Sequence, residues 1–292
     1  MDIWNKFSSI IIDLIKNKYS KEYKLKKWNY LYTLINNNDY IPPHFGSLLF
    51  LKEIKNKSNA IILDHGCGSC LTLCFLAIKK YNNIWGVEVN YDNDPYKIDY
   101  VNKVNSFLKL IFNDKKNRII IYDGKKLPFE KDFFDFIFSQ QVIEHVDPNL
   151  KLNYIKEESR VLKKNGLIYH QIPHRLVPYE SHTRVWFLHW LPKKIFRLFF
   201  FKKRKIEFID KSLFLDWPWK IKKIFLKCDL KCHDITHYRL IKKPSGKKLY
   251  GTSSFIRKLF YLLTKIPIIG GFFIKIFKNF FMLEVYFKKL NK

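Results

Sequence analysis

The sequence predicts an α/β fold built on a doubly wound, mainly parallel sheet, with helical additions at both ends. Three observations predict it. The chain has 292 residues, 47% hydrophobic and 27% charged, which is enough apolar material for one large core and rules out disorder as the main state. Between residues 58 and 175, short apolar segments of strand length alternate with helical ones. Four of those strand segments end in polar residues, where ligands of open α/β sheets bind.

Residues 1–57 read as helices, with Ile3, Phe7, Ile10, Ile11 and Leu14 at helical spacing and Ile41-Pro42-Pro43 as a break. Ala60-Ile61-Ile62-Leu63 is a first strand, followed by a glycine turn and an apolar helix over Leu71 to Ile78. Ile84 to Val89 is the second strand, Val101 to Phe112 a helix, Arg118 to Tyr122 the third strand and Phe134 to Phe138 the fourth. A helix over Leu150 to Leu162 stops at Asn165-Gly166, and Leu167 to Ile172 is the fifth strand, ended by Pro173. Residues 176–250 then form a substrate-side insertion with a basic aromatic helix over Lys193 to Lys205, another helix and the last strands. Residues 251–292 read as a basic aromatic helical tail.

Charge and cysteine usage narrow the functional classes. The chain carries 54 basic and 26 acidic residues, a net charge of +28, which points to an anionic partner: nucleic acid, a membrane surface or an acidic substrate. Only 8 of the basic residues are Arg, the residue suited to bidentate phosphate and base recognition, so nucleic acid is the weaker option. Residues 58–140 hold 11 basic and 10 acidic side chains, whereas residues 241–292 hold 12 basic and one acidic, Glu284. The charge therefore acts outside the middle of the chain. Five cysteines, no recognisable signal peptide and no apolar stretch near the roughly 18 residues of a spanning helix lead us to expect a reduced, cytoplasmic setting.

The chemistry-bearing residues follow the strands. Ile62-Leu63-Asp64-His65-Gly66-Cys67-Gly68-Ser69 is a strand, an acid, two glycines and a helix start. Glycines let the backbone turn and approach a ligand, and the helix N-terminus offers N–H groups to an anion. By itself this is equally well a plain strand–helix turn. Glu88, 24 residues after Asp64, ends the next strand, where an acid can accept hydrogen bonds from both ribose hydroxyls. Asp123-Gly124 ends the third strand and Ser139-Gln140-Gln141 the fourth.

With Leu127-Pro128-Phe129, Phe133 to Ile137, Val142-Ile143-Glu144-His145-Val146 and Leu162 to Gly166, these segments resemble the class I S-adenosylmethionine-dependent methyltransferases, in particular the type 11 subgroup. The resemblance covers residues 58–175 and implies a Rossmann-like, seven-stranded form of the sheet, with S-adenosylmethionine as cofactor. It implies that Asp64, Gly66, Cys67 and Gly68 line the methionine end, Glu88 binds the ribose, Asp123 and Gly124 meet the adenine, and Gln140 sits near the sulfonium. One position departs from the family: Cys70 stands where a third glycine is usual, so a non-catalytic membrane-bound scaffold with a degenerate pocket is the non-enzyme alternative.

Methyl transfer asks mainly for alignment and exclusion of water, because the sulfonium is already a good leaving group. An oxygen acceptor also calls for a base. His182 beside Glu180 is the first choice, with His174 a further candidate; the alternative is that these residues only satisfy loop backbone. His145 reads as structural. Asp94-Pro95-Tyr96 follows the second strand rather than the fourth and is no amino-methylation motif. Cys228, Cys232, His233 and His237 have zinc-compatible types but compressed spacing, and Cys67, Cys70 and Cys74 read as core, so no metal is expected. The stretch from Pro173 to Pro192 resembles one in type 11 relatives among bacterial surface-glycan genes, which implies a small-molecule, sugar or lipid-linked glycan acceptor, O-methylated. The Phe- and Lys-rich tail fits peripheral membrane contact, or an accessory helix. An RNA methyltransferase is the alternative enzyme.

Overall fold

The computed structural model describes residues 59–78, 80–90, 95–228, 230–237, 261–267 and 269–289. The expected N-terminal helices, Asp94, and the tail residues Phe255, Arg257 and Lys258 lie outside the described residues. Two compact units are present, one ending at Phe138 and one running from Ser139 to Lys292. Their strands make up the seven of the expected mainly parallel, Rossmann-like α/β class.

The first unit contains β1 (Ile61–His65), α1 (Leu71–Ile78), β2 (Asn83–Val89), α2 (Pro95–Phe112), β3 (Ile119–Tyr122) and β4, which starts at Phe134 and ends at Gln140. The order is β3-β2-β1-β4, all parallel, with Asp64 level with Gly86 and Phe138, and Glu88 level with Ile121. Ile62, Leu63, Ile84, Val87, Phe136 and Ile137 are buried, as in a parallel sheet covered on both faces. Helix α1 buries Leu73, Cys74, Leu76 and Ala77, and α2 buries Tyr100, Val101, Val104, Phe107 and Leu108 at helical spacing.

Helix α2 starts six residues before the expected Val101. Pro95 occupies its first position, where the missing N–H costs nothing, and Pro95 and Ile98 in the first turn are exposed. It ends on Asn113 in the left-handed region, a common C-terminal stop. Asn105 ties it to β3: its amide nitrogen donates to Ile119 O, and its oxygen accepts from the N–H groups of Arg118 and Ile119, each at 2.9 Å.

The second unit contains α3 (Lys151–Val161), β5 (Leu162–Ile172), the short hairpin β6 (Tyr179–Glu180) and β7 (Val185–Trp186), α4 (Lys193–Phe196), α5 (Lys203–Ser212), α6 (Pro218–Leu226), β8 (Leu230–Asp234), α7 (Ile269–Phe277) and β9 (Leu283–Lys289). Two expectations are corrected here. The expected helix over Lys193 to Lys205 is broken: α4 runs into a 3-10 turn over Arg197–Phe199, and Phe200 is extended. The break lets Phe196 pack with Ile209 and Leu213 while Phe200 packs beside them. The tail is not wholly helical either. It ends in β9, which lies antiparallel between β5 and β8, pairing Ile172 with Leu283 and Asp234 with Val285. Leu283, Val285 and Phe287 are buried, and Phe287 stacks on Phe225 at 3.9 Å. No helix among the described residues is long and apolar enough to cross a membrane.

Buried ionisable groups make this unit acid-sensitive. Lys151 donates to Asp216 at 2.7 Å and Lys222 to Asp234 at 2.7 Å. Burial alone would raise both carboxyls, but the lysines outweigh it and hold both below the ordinary value. His174 is pushed down to about 4 by burial. A histidine held neutral in the fold costs stability as pH falls from about 6.5, where the unfolded chain begins to bind the proton, to about 4. The two aspartates contribute stability above about 4 and lose it as pH falls through their lower folded values. The melting temperature is therefore expected to drop in two stages on acidification, and His174→Gln to flatten the first. A melting temperature independent of pH between 6.5 and 4 would contradict this.

Candidate functional site

Each unit carries one cluster of chemistry-bearing residues. In the first, the turn after β1 is clamped to β2: the N–H groups of Gly66 and Cys67 both donate to Val87 O at 3.0 Å. Gly66 has φ 83° and Gly68 φ 51°, both left-handed, and the space a Cβ on Gly68 would enter is open. Cys70 also lies in that region, at φ 56°, at a backbone cost of roughly 1–2 kcal/mol. Its side chain is fully buried, with its sulfur 3.5 Å from that of Cys67, so the replacement of the expected third glycine is absorbed in the core.

Asp64 is 5% exposed, and burial, then the charge of Glu88, pushes its carboxyl well above the ordinary value. Two acids beside an open glycine turn favour a cationic ligand. Glu88 already has partners: one oxygen accepts from Gly68 N–H at 2.7 Å, the other from Lys97 Nζ at 2.9 Å and from the N–H of Val89 at 3.1 Å. A ribose binding there replaces the bond to Gly68 or to Lys97. Asp123 is exposed and accepts the N–H groups of Lys125 and Lys126, which lower its pKa and shape the turn through Gly124, at φ 76°.

Sequence reasoning passed over Gly86. A Cβ there would stand 2.4 Å from Leu73 Cδ1 and 3.0 Å from Cys67 Sγ. Gly86 therefore sets how closely α1 and the glycine turn approach β2. Gly86→Ala is expected to cost about 1–3 kcal/mol, read from the denaturant midpoint at unchanged slope. The signal was a glycine inside an otherwise apolar strand, which marks close approach.

In the second unit the β6–β7 hairpin shapes the other cluster. Glu180 is 4% exposed, and its carboxylate accepts from His182 N–H at 2.9 Å, His182 Nδ1 at 2.7 Å, Thr183 N–H at 2.6 Å and the Thr183 hydroxyl. Burial opposes its charge, but these bonds outweigh it and bring its pKa to about 2. For His182, burial disfavours the imidazolium, yet the bond to Glu180 and its charge hold the pKa above the ordinary value. The expected pair is thus assembled, with Nδ1 of His182 fixed and Nε2 presented to a third ring. That ring is His145, its Nε2 3.2 Å from Nε2 of His182 and the two rings edge to face at 4.7 Å. Glu144 lies beside them, 1% exposed.

His174 is corrected as a base candidate. It is 2% exposed, its Nε2 donates to Phe281 O at 2.9 Å, and its Nδ1 accepts the N–H of Leu176 at 3.2 Å. Both nitrogens serve the backbone, and neither is available to an acceptor. His170 is likewise buried, against Glu158 at 2.8 Å. Ser139 is spent on Tyr154 at 2.9 Å, while Gln140 closes β4.

Residues 63–170 match a family described as a methyltransferase domain. A tRNA (carboxymethyluridine(34)-5-O)-methyltransferase from Arabidopsis thaliana is 27% identical over 138 residues, 44% of this chain. The chain spans 30% of that relative's length. A methyltransferase from Mesorhizobium loti is similar in structure at TM-score 0.47 and 13% identity, over 82% of this chain and 96% of the other. A Haloferax volcanii chain, from the complex of the Trm112 activator with a methyltransferase, is similar at TM-score 0.45 and 14% identity, over 84% and 89%.

Proposed function

We propose that this chain, whose residues 63–170 match a methyltransferase domain, is an S-adenosylmethionine-dependent methyltransferase of class I, type 11 subgroup, and that it transfers the methyl group to a hydroxyl oxygen. The cofactor is held by Asp64, Gly66, Cys67, Gly68, Glu88, Asp123 and Gly124. Asp64, whose pKa is raised by burial and then by the charge of Glu88, receives the positive methionine end. The observation that carries the hydroxyl reading is the Glu180–His182 pair at 2.7 Å. Glu180 fixes the tautomer of His182 and stabilises its charged form, so that Nε2 can take the proton. The hydroxyl oxygen attacks the methyl carbon, the C–O bond forms as the C–S bond breaks, and the sulfonium leaves as a neutral thioether. The hydroxyl proton passes to His182. The relative's name, a 5-O-methyltransferase, supports an oxygen acceptor.

For the acceptor we favour a sugar hydroxyl on a lipid-linked glycan, met at the cytoplasmic face of a membrane. Leu198, Phe199 and Phe201 are 72%, 50% and 97% exposed and adjoin Lys202 and Lys203. Leu262, Ile266 and Phe272 are exposed near Lys265 and Lys275. Exposed apolar residues with flanking lysines suit an anionic lipid surface. The test is transfer of labelled methyl from S-adenosylmethionine to lipid-linked glycans in anionic liposomes. Label in the glycan supports the reading; label in RNA alone overturns it. The RNA reading is favoured by the tRNA-modifying relative and the charge of +28, and it predicts RNA binding that falls steeply with salt.

A further inference from the structure

The Glu144, His145 and His182 cluster is chemically incomplete as it stands. His145 Nδ1 donates to Ser212 O at 2.5 Å and His182 Nδ1 to Glu180 Oε1 at 2.7 Å. Each ring therefore turns Nε2, its lone-pair nitrogen in the neutral form, toward the other, at 3.2 Å. Two lone pairs at that distance repel unless a positive charge lies between them. Beside them, both oxygens of the buried Glu144 carboxylate lack a hydrogen-bond partner, although such groups are almost always satisfied. A proton shared by the imidazoles would answer the nitrogen contact but leave the carboxylate unanswered. One cation answers all three.

We propose that Glu144, His145 Nε2 and His182 Nε2 bind one divalent transition-metal ion of the zinc class. The ligand atoms of the three residues all lie within 4.8 Å of one another. Two nitrogens 3.2 Å apart and each about 2.1 Å from an ion subtend about 100° at it, within the range of tetrahedral coordination. Glu144 Oε1 is 3.9 Å from His145 Nε2 and closes by roughly half an ångström through side-chain rotation to complete the set. Two imidazoles and one carboxylate leave at least one position open, the pattern of a reactive rather than a structural zinc site. The supporting groups are already in place: each imidazole donates its other nitrogen to an oxygen, Glu180 for His182 and the Ser212 carbonyl for His145. Phe208 lies against both rings at 5.8–5.9 Å and supplies an apolar wall. His145 is 32% exposed at its side chain, which provides an entry path.

Spacing gave no hint of this, because His182 is 37 residues from His145, and the sequence led to no metal being expected. A bound ion would take the acceptor oxygen in the open position and lower the pKa of its hydroxyl, so that the proton would leave to water instead of to His182, whose Nε2 would then be a ligand. Only that role, not the binding of the ion, rests on the hydroxyl-methylation reading. The experiment uses the full chain, stripped with a chelator and titrated with Co²⁺ alone, without cofactor or acceptor. One equivalent is expected to give the visible absorption of low-coordinate cobalt, lost on adding Zn²⁺. Glu144→Gln keeps the shape of the side chain and replaces one ligand oxygen by an amide, with folding checked by its melting curve; it is expected to weaken binding at least tenfold. His182→Ala is expected to do the same, and Glu180→Gln to cost about 10–100-fold through the orientation of His182. His233→Ala is expected to bind as the parent does. No stoichiometric binding, or binding unchanged by Glu144→Gln and His182→Ala, would overturn the proposal. Because the titration contains neither cofactor nor acceptor, a failure to bind the ion and a failure of methyl transfer are read separately.

Discussion

Changing Asp64 and Glu88 together to Ala is expected to lower the affinity for S-adenosylmethionine by about 10²–10⁴-fold. Each carboxylate is assigned a charge-assisted or multiple hydrogen bond to the cofactor, about 1.5–3 kcal/mol apiece, so each single change is expected to cost about 10–100-fold. The two residues are near enough for Glu88 to raise the pKa of Asp64, so the double change is expected toward the lower end of that range, short of full additivity. The same coupling separates a binding role from a structural one. In the free protein, Asp64 is a buried acid repelled by a neighbour, so Asp64→Asn removes an unfavourable charge and is expected to hold or raise the melting temperature while weakening the cofactor. A merely structural Asp64 would lose both together. Titration calorimetry with S-adenosylmethionine and S-adenosylhomocysteine reads the first quantity and thermal melting the second. Unchanged affinity in both single variants would remove these residues from the cofactor site.

Local signals made much of the first unit legible in the sequence. The helix over Leu71–Ile78 falls where its apolar residues end, and β1, β2 and β3 start or stop within two residues of the expected positions, because short buried strands flanked by polar residues leave little choice of boundary. The start of α2 at Pro95 was hidden because Pro95 reads as a break and Ile98, in the first turn, is exposed. β9 was hidden by composition: the surrounding Phe- and Lys-rich tail reads as amphipathic helix, although the buried Leu283, Val285 and Phe287 alternate with Glu284, Tyr286 and Lys288 at the period of a strand. A strand this late in the chain pairs with residues more than a hundred positions earlier, such as Gln171 with Glu284, and no local window contains that information.

The same division runs through the candidate site. Glu180 and His182 were found because they are two residues apart, and a hairpin turn brings such neighbours into contact. His174 was misjudged because its type suggests a base, while its burial, with both nitrogens spent on backbone groups, is a tertiary fact. Glu144 was quoted only as part of a resemblance. Its significance comes from two unpartnered oxygens in the interior, which spacing cannot express.

His182→Ala is expected to lower methyl transfer to the hydroxyl acceptor by about 10²–10⁴-fold, the usual span for a lost general base, with the affinity for S-adenosylmethionine unchanged. The direction follows from what the side chain holds: Nδ1 is committed to Glu180 at 2.7 Å, so removing the ring takes away the nitrogen aimed at the proton and leaves Glu180 without its largest partner. Glu180→Gln keeps the hydrogen bond but not the charge that stabilises the imidazolium, and its rate is expected to fall by less than that of His182→Ala. Glu144→Gln then separates two ways of activating the hydroxyl. If His182 acts by accepting a proton alone, Glu144, whose nearer oxygen is 3.9 Å from His145 Nε2 and has no hydrogen bond, contributes little, and its variant retains most of the rate. If an ion held by the three residues polarises the hydroxyl, the rate falls with Glu144→Gln as it does with His182→Ala, and added zinc restores activity to the chelator-treated parent but not to either variant. Full activity in His182→Ala would exclude both.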